Sequence, residues 1–276
     1  MSLIQSLEDY FANVKLVEGD LLFGESNVND EPEVEKPEKT TESEIKPFAI
    51  EKKKELIQED KPLPRKKKVE EPLLPQGNTV DPKWKDSKNA LELHENIKDC
   101  KNCQLGHLRK NFVFGTGNPE ADIMVIGEAP GRDEDEQGKP FVGRAGQLLN
   151  KMLLAINLQR EDVYITNVVN WRPPDNRTPN DEEILEFLPF LQRQIDIIKP
   201  KFIFLLGGVA AKAILSTPLA LGKLRGKWHE YKSLNLDESI PTIASYHPAF
   251  LLRSPQYKKH SWEDLQMLQE KLKNVS

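Results

Sequence analysis

The chain has 276 residues, of which 38% are hydrophobic and 30% are charged. A fully globular chain of this length is usually less polar, so we expect part of it to stay unfolded. The longest strongly apolar stretch begins at Phe202 and meets Lys212 after about ten residues, half of what a membrane span needs, so none is expected.

The two cysteines, Cys100 and Cys103, are too few for a disulfide framework. The N-terminus lacks a basic flank before an apolar run, so no secretory signal is predicted and a cytoplasmic location is expected. Residues 1–85 hold 19 acidic and 14 basic side chains, which leaves 25 of each for residues 86–276. Any affinity for nucleic acid must therefore come from a local basic face of a neutral domain.

Residues 1–83 are predicted to be a largely disordered tail, because Pro, Glu and Lys dominate residues 18–83 and apolar periodicity is missing over most of them. Leu3 to Leu16 fits either a short amphipathic helix or a frayed terminus. The basic run at 65–68 is more typical of a solvated charge run than of a DNA contact. The sequence does not identify a partner for this tail.

Residues 84–276 are predicted to be the folded domain, with an α/β fold. Short apolar strands alternate with helical stretches, which favours a parallel sheet with helices on both faces and a ligand site at the carboxyl ends of the strands. The predicted strands are Asp122–Gly127, Val163–Val169, Lys201–Leu206 and Pro241–Tyr246, and the predicted helices are 86–99, Gly146–Asn157, Asp181–Lys199, Val209–Leu215 and Lys258–Lys273.

The first candidate segment follows the first strand, at Gly127-Glu128-Ala129-Pro130-Gly131. Glycines around a proline allow a tight turn close to a ligand. The four acids at 133–136, which include Glu134, form either a solvated loop or a group that orients water. Phe141, in a glycine-flanked loop, is either a core residue or a stacking platform.

Two further segments also follow strands. Asn167 carries a donor and an acceptor that can read the edge of a base. Arg172 and Arg177 lie in a proline-rich loop suited to phosphate contact. His247 precedes a proline-fixed turn, and Leu251 beside Arg253 fits either a wedge entering a base stack or an amphipathic turn in the core.

In this order the segments resemble the type-4 uracil-DNA glycosylases, from about Cys100 to about Leu272. The matching motifs are GEAPG, GKPFVGRAGQLL, YITNVV, RPPDNRTP and HPAFLLR, with the WEDL of the last helix. The resemblance implies a three-layer α/β/α sandwich around a four-stranded parallel sheet. It also implies removal of uracil from DNA, and therefore uracil-containing DNA as the partner.

The resemblance also implies roles for individual residues. Gly127 and Glu128 would line the uracil pocket, Phe141 would stack on the base, and Asn167 would hydrogen-bond its polar edge. Glu134 and Asn176 are candidates for placing or activating water, and His247 would donate a hydrogen bond to the uracil oxygen that gains charge. DNA contacts are expected at Arg144, Arg172, Arg177, Leu251 and Arg253.

The chemistry requires no metal, and no motif position offers a lysine as a Schiff-base nucleophile, so a monofunctional enzyme that leaves an abasic site is expected. The protein is also expected to be a monomer. The family holds a [4Fe–4S] cluster with four cysteines, of which Cys100 and Cys103 match the first pair. Trp171 and Phe187 stand where the other two belong, so a cluster is not expected here. Their rings are predicted to fill its volume. Sharing of two cysteines across a dimer, or zinc completed by His107, is a weaker alternative.

Two other functions stay open at this point. One is a related glycosylase for other deaminated bases such as hypoxanthine, because pocket shape cannot be read from sequence. The other is a non-catalytic module that binds DNA or accompanies a polymerase and has kept the fold. The presence of Glu134, Asn167 and His247 together favours an enzyme over a mere binder.

Overall fold

A computed structural model describes residues 82–99, 104–107, 109–233 and 235–274 of the protein. The predicted tail, except for its last two residues, lies outside the described residues, together with its candidate helix and basic run. Cys100 and Cys103 also lie outside them.

A six-stranded sheet forms the centre of the domain, with strand order β1-β3-β2-β4-β6-β5. The four inner strands are mutually parallel, which confirms the predicted parallel sheet. Two antiparallel edge strands extend it and were not predicted. The strands are β1 (Thr116–Gly117), β2 (Ile123–Gly127), β3 (Val163–Asn167), β4 (Phe202–Leu206), β5 (Trp228–Tyr231) and β6 (Ile240–Ser245).

Eight α-helices surround the sheet in the described part of the chain. The five predicted helices are present with boundaries shifted by a few residues, and three short helices near the strand ends, α2, α6 and α7, are additional. The helices are α1 (Ala90–Ile97), α2 (Arg132–Gln137), α3 (Arg144–Leu154), α4 (Asp181–Ile198), α5 (Gly208–Leu215), α6 (Leu221–Leu224), α7 (Pro248–Arg253) and α8 (Lys258–Lys273). No helix among the residues described is both long and apolar enough to cross a bilayer.

Two hydrophobic cores lie on opposite faces of the sheet, because successive side chains of a strand point to opposite sides. On β2, Met124 and Ile126 pack into the core that contains residues of α1, α4 and α5. Ile123 and Val125 pack into the core that contains residues of α3 and α8. All five residues of β2 are buried, which explains its uninterrupted apolar sequence. The expected three-layer α/β/α sandwich is therefore confirmed.

Candidate active site

A cavity of about 560 Å³ opens at the carboxyl ends of the four parallel strands. Asn167 ends β3, Gly207 follows β4, and His247 follows β6. Eight of the predicted site residues line the cavity: Glu128, Glu134, Phe141, Asn167, Asn176, Arg177, His247 and Arg253. The segments chosen from the sequence therefore meet at one place, at the sheet edge where parallel α/β folds bind ligands.

Asn167 lies at the base of this cavity and is only 2% exposed. Its side-chain oxygen, Oδ1, has no hydrogen-bond partner among the described residues. Buried polar atoms are nearly always hydrogen-bonded, and leaving one unpaired costs about 1–3 kcal/mol. An unpaired acceptor at a cavity wall is a group in position to receive a ligand's N–H.

Gly127 ends β2 and lies directly behind this wall. A Cβ atom at this position would lie 2.4 Å from Asn167 Oδ1 and 2.5 Å from Cζ of Phe141. Any side chain at position 127 would therefore push the amide and the ring apart. The expectation that Gly127 lines the uracil pocket remains a prediction, and position 127 has no room for a side chain.

Phe141 is buried and adopts a positive φ of 53°, which is unusual for a bulky residue. Such a conformation costs about 1–3 kcal/mol and persists only where the surroundings enforce it. Its ring centroid lies 5.5 Å from that of His247. Helix α3 approaches so closely that a Cβ on Gly146 would lie 1.9 Å from the carbonyl oxygen of Phe141. Glycine is therefore required at position 146, where helix and loop meet.

Glu134 is occupied by backbone hydrogen bonds. Its Oε1 accepts from the amides of Val142 and Gly143, both at 2.9 Å, and its Oε2 accepts from the amide of Gly131 at 3.1 Å. A carboxylate that satisfies three backbone donors is a brace between two loops. This geometry does not support the expectation that Glu134 activates water.

His247 precedes helix α7, and its Nδ1 accepts a hydrogen bond from the amide of Ala249 at 3.2 Å. This bond requires an unprotonated Nδ1, so the proton of the neutral ring is on Nε2. Burial, together with the positive charge of Arg253, lowers the pKa of His247 to about 4. At neutral pH the residue is therefore an uncharged hydrogen-bond donor at the cavity wall.

Glu128 also lines the cavity, and burial raises the pKa of its carboxyl group. A hydrogen bond from Thr178 and the charge of Arg253 oppose this shift. Thr178 was not among the predicted site residues, although it lies in the RPPDNRTP motif. Glu128 is thus a partly desolvated carboxyl group with one hydroxyl partner, which is suited to handling a water molecule.

The loop that bears Asn176 has an unusual backbone. Asp175 and Asn176 both have positive φ values, 54° and 55°. Nε of Arg172 donates to Asn176 Oδ1 at 2.7 Å. Arg172 therefore contacts the loop itself and does not line the cavity. The side-chain nitrogen of Asn176 is the donor group that this hydrogen bond leaves available.

The other predicted DNA-contacting arginines differ in their environments. Arg144 and Arg253 are exposed, at the start of α3 and the end of α7. Arg177 forms a two-bond ion pair with the buried Glu183, with Nη1–Oε2 and Nη2–Oε1 distances of 2.8 and 2.6 Å. Arg177 therefore also has a structural task at the start of α4.

Leu251 requires a correction. Its side chain is fully buried in the core on the α3 and α8 face of the sheet, so it is not positioned to enter a base stack. Helix α7 places every third or fourth residue on its inner face. Leu252, one residue further, is partly exposed.

Gly207 and Gly208 line the cavity and were missed. Gly207 has a φ of 97°, and a Cβ there would lie 3.2 Å from Cβ of His247. Two glycines directly after the apolar run FIFLL, at a strand's carboxyl end, were the available signal. Tyr246 and Phe250, stacked with centroids 5.2 Å apart, complete this wall.

The side chains at the cluster positions do not fit a [4Fe–4S] cluster. Trp171 and Phe187 are fully buried and pack edge to face, with centroids 5.4 Å apart. The guanidinium carbon of Arg109 lies 3.7 Å from the ring centroid of Trp171. Neither aromatic ring can ligate iron, and four thiolates are the usual requirement. Among the described residues no group of three or more potential metal ligands occurs.

Comparisons with known proteins identify the family of this chain. Residues 114–266 match the family model of the uracil DNA glycosylase superfamily. A type-4 uracil-DNA glycosylase of Pyrobaculum aerophilum is 44% identical over 64% of this chain and 91% of its own length. The corresponding enzyme of Sulfurisphaera tokodaii is 44% identical over 66% and 84%, and that of Archaeoglobus fulgidus is 42% identical over 63% and 88%. The chain belongs to the uracil-DNA glycosylase superfamily and, within it, to the type-4 family.

Proposed function

We propose that this chain is a monofunctional uracil-DNA glycosylase that hydrolyses the N-glycosidic bond of uracil in DNA and leaves an abasic site. The observation that carries the proposal is the buried, unpartnered Oδ1 of Asn167, which lies beside the ring of Phe141 at the base of the cavity. The type-4 family membership supports the same activity.

Recognition of uracil follows from these two side chains. The polar edge of uracil carries an N–H beside a carbonyl, and the amide of Asn167 offers an acceptor and a donor in the same plane. The face of Phe141 offers a surface on which the base stacks. Because a base inside a duplex cannot reach such a cavity, the nucleotide is flipped out at a cost of a few kcal/mol.

His247 stabilises the departing base. Cleavage of the glycosidic bond leaves negative charge on uracil, and the Nε2–H of His247 donates a hydrogen bond to the oxygen that carries it. The lowered pKa keeps the imidazole neutral, so this is a fixed donor that does not transfer its proton. One such preorganised donor typically contributes about 3 kcal/mol to transition-state stabilisation.

Water placement is assigned to Glu128 together with Asn176. Both line the cavity, and the sugar side of the bond develops positive charge that a carboxylate stabilises. Glu134 is assigned to bracing, since its two oxygens already accept three backbone hydrogen bonds. No lysine lines the cavity in the described part of the chain, which supports hydrolysis over Schiff-base chemistry.

Arg144 and Arg253 are proposed to contact DNA phosphates near the cavity, because both are exposed and charged. No step of the proposed reaction runs through a metal ion or cluster. The enzyme is proposed to act as a monomer in the cytoplasm.

The test is an excision assay with three oligonucleotides that differ at one position, which carries uracil, hypoxanthine or thymine. Alkali then cleaves the strand wherever an abasic site has formed. We expect strand cleavage at uracil. Asn167→Asp and His247→Ala should each lower the rate by about a hundredfold or more, because each removes a group that meets the base.

Each alternative result has its own meaning. Excision of hypoxanthine but not of uracil would identify a glycosylase for other deaminated bases. Binding of DNA without cleavage at any of the three bases would indicate a non-catalytic module. Full activity of both variants would mean that the site residues are wrongly assigned.

A further inference from the structure

The backbone around Phe141 is held by a residue outside every motif discussed so far. Arg160 lies in a short 3-10 turn before β3 and is partly buried. Its Nη1 donates to the carbonyl oxygen of Phe141 at 2.9 Å, and its Nη2 donates to that of Pro140 at 2.5 Å. One guanidinium thus holds the carbonyl groups of two consecutive residues.

The guanidinium of Arg160 is itself oriented. Nη1 also donates to the side-chain oxygen of Asn150, on α3, at 3.2 Å. The planar fork of an arginine suits this arrangement, since its donors point in fixed directions. A lysine could supply charge but could not hold both carbonyl groups in the same geometry.

The next two residues are held by a side chain of opposite charge. Oε1 of Glu134 accepts from the amides of Val142 and Gly143. Four consecutive residues, 140–143, are therefore fixed by two charged side chains, with the carbonyl groups on Arg160 and the amides on Glu134. Phe141 lies at the centre of this stretch, with its positive φ.

We propose that Arg160 and Glu134 form a backbone clamp that positions Phe141 for stacking on the flipped base. The inference rests on the proposed function, since it assigns the purpose of the clamp. Without the clamp, the backbone of Phe141 is expected to leave the positive-φ region, which would move the ring away from His247 and Asn167. Neither clamp residue needs to touch the base, so both are positioning residues.

The test compares three variants of the full chain: Arg160→Met, which removes every donor, Arg160→Lys, and Arg193→Met as a matched control. Arg193 is also partly buried and donates to a backbone carbonyl, that of Ser87 at 2.7 Å, but it does not line the cavity. We expect Arg160→Met to lower kcat for uracil excision about a hundredfold, as misplacement of one group by about 1 Å does. KM for uracil-containing DNA should change far less, because phosphate contacts are untouched.

Two further measurements separate positioning from general destabilisation. Inhibition by free uracil should weaken in Arg160→Met and recover in part in Arg160→Lys, whereas Arg193→Met should leave both inhibition and excision unchanged. Amide hydrogen exchange at Val142 and Gly143 should quicken in Arg160→Met at temperatures well below its Tm. A wild-type kcat in Arg160→Met would overturn the clamp. So would a loss of activity that is explained by a lowered Tm alone and is matched in Arg193→Met.

The exchange measurement also keeps this inference distinct from the proposed function. If the wild-type protein excises no uracil, the proposed function fails, and the purpose assigned to the clamp fails with it. Faster exchange at Val142 and Gly143 in Arg160→Met would still support the clamp as the device that holds Phe141. Unchanged exchange would overturn the clamp even in a fully active enzyme.

Discussion

The ring of Phe141 and the imidazole of His247 lie 5.5 Å apart between centroids, with their planes inclined by 33°. They come from loops that follow β2 and β6, which are not neighbours because β4 lies between them. A base stacked on Phe141 is therefore within reach of a donor supplied by a distant part of the chain.

Gly127→Ala should abolish most of the uracil excision. The new methyl group would lie 2.4 Å from Asn167 Oδ1 and 2.5 Å from Phe141 Cζ, so one of them must move. We expect kcat/KM to fall about a hundredfold and the free energy of unfolding to fall by about 1–3 kcal/mol. Gly222→Ala is the control, because a Cβ there meets nothing within 4 Å. An active Gly127→Ala variant would show that the pocket is not shaped at this point.

Protonation of His247 should abolish uracil excision at acid pH. Its pKa of about 4 lies below the ordinary 6.5, so the folded protein keeps the ring neutral at pH values where an unfolded chain would protonate it. The stability that this residue contributes is thus present above pH 6.5 and is lost as the pH falls towards 4. Protonation of Nδ1 would also break the bond from Ala249.

The measurement is a pH profile of kcat in wild-type protein and in His247→Gln. Glu128 adds its own component to the acid limb, because burial raises the pKa of its carboxyl group above the ordinary value. The component of the acid limb that disappears in His247→Gln belongs to the imidazole. An unchanged profile in this variant would contradict the assignment.

Arg253 and Arg177 should respond differently to loss of charge. Arg253→Gln should weaken DNA binding and reduce the slope of log K against log salt by about one, because one phosphate contact is lost. Arg177→Gln should also lower the free energy of unfolding, since it leaves the buried carboxylate of Glu183 without its partner. Binding at several salt concentrations and urea unfolding distinguish them. Equal stability loss in both variants would refute this division.

Trp171 and Phe187 should contribute to the free energy of unfolding in a protein that contains no iron. Replacing either by alanine should cost about 3–5 kcal/mol, because both are fully buried large side chains. Leu185→Ala is the control on the same helix as Phe187, since Leu185 is 61% exposed. Urea unfolding of protein purified without oxygen, beside an iron determination, gives the answer. About four irons per chain in the wild type would overturn the prediction.

The parallel sheet and eight of the cavity-lining residues were predictable because each signal is local. Strands β2 and β4 are buried on both faces and read as continuous apolar runs, and a polar residue at a strand end, such as Asn167, marks the binding edge. The order of the motifs then predicted roles for Phe141 and His247. The edge strands were not predictable, since β1 is only two residues long and pairs through Gly117, which has a φ of 109°.

Other features depend on contacts between distant segments, which one sequence does not display. The bracing task of Glu134 appears only when the amides of Val142 and Gly143 are brought to it. Leu251 and Leu252 are adjacent in the sequence, and only the packing of α7 decides which of them is buried. Arg160 belongs to no catalytic pattern, because its partners are two backbone carbonyl groups and the side chain of Asn150, and none of them marks it in the sequence.

The ends of the sheet limit how this protein can associate with other copies of itself. Its two outermost strands are β1, of two residues, and β5, of four, and lysines at positions 227 and 232 flank the second. Short or charged edges offer few free backbone groups to a passing strand. The inner parallel strands would pair more readily with strands of another copy. They are covered at both edges of the sheet by β1 and β5 of their own chain.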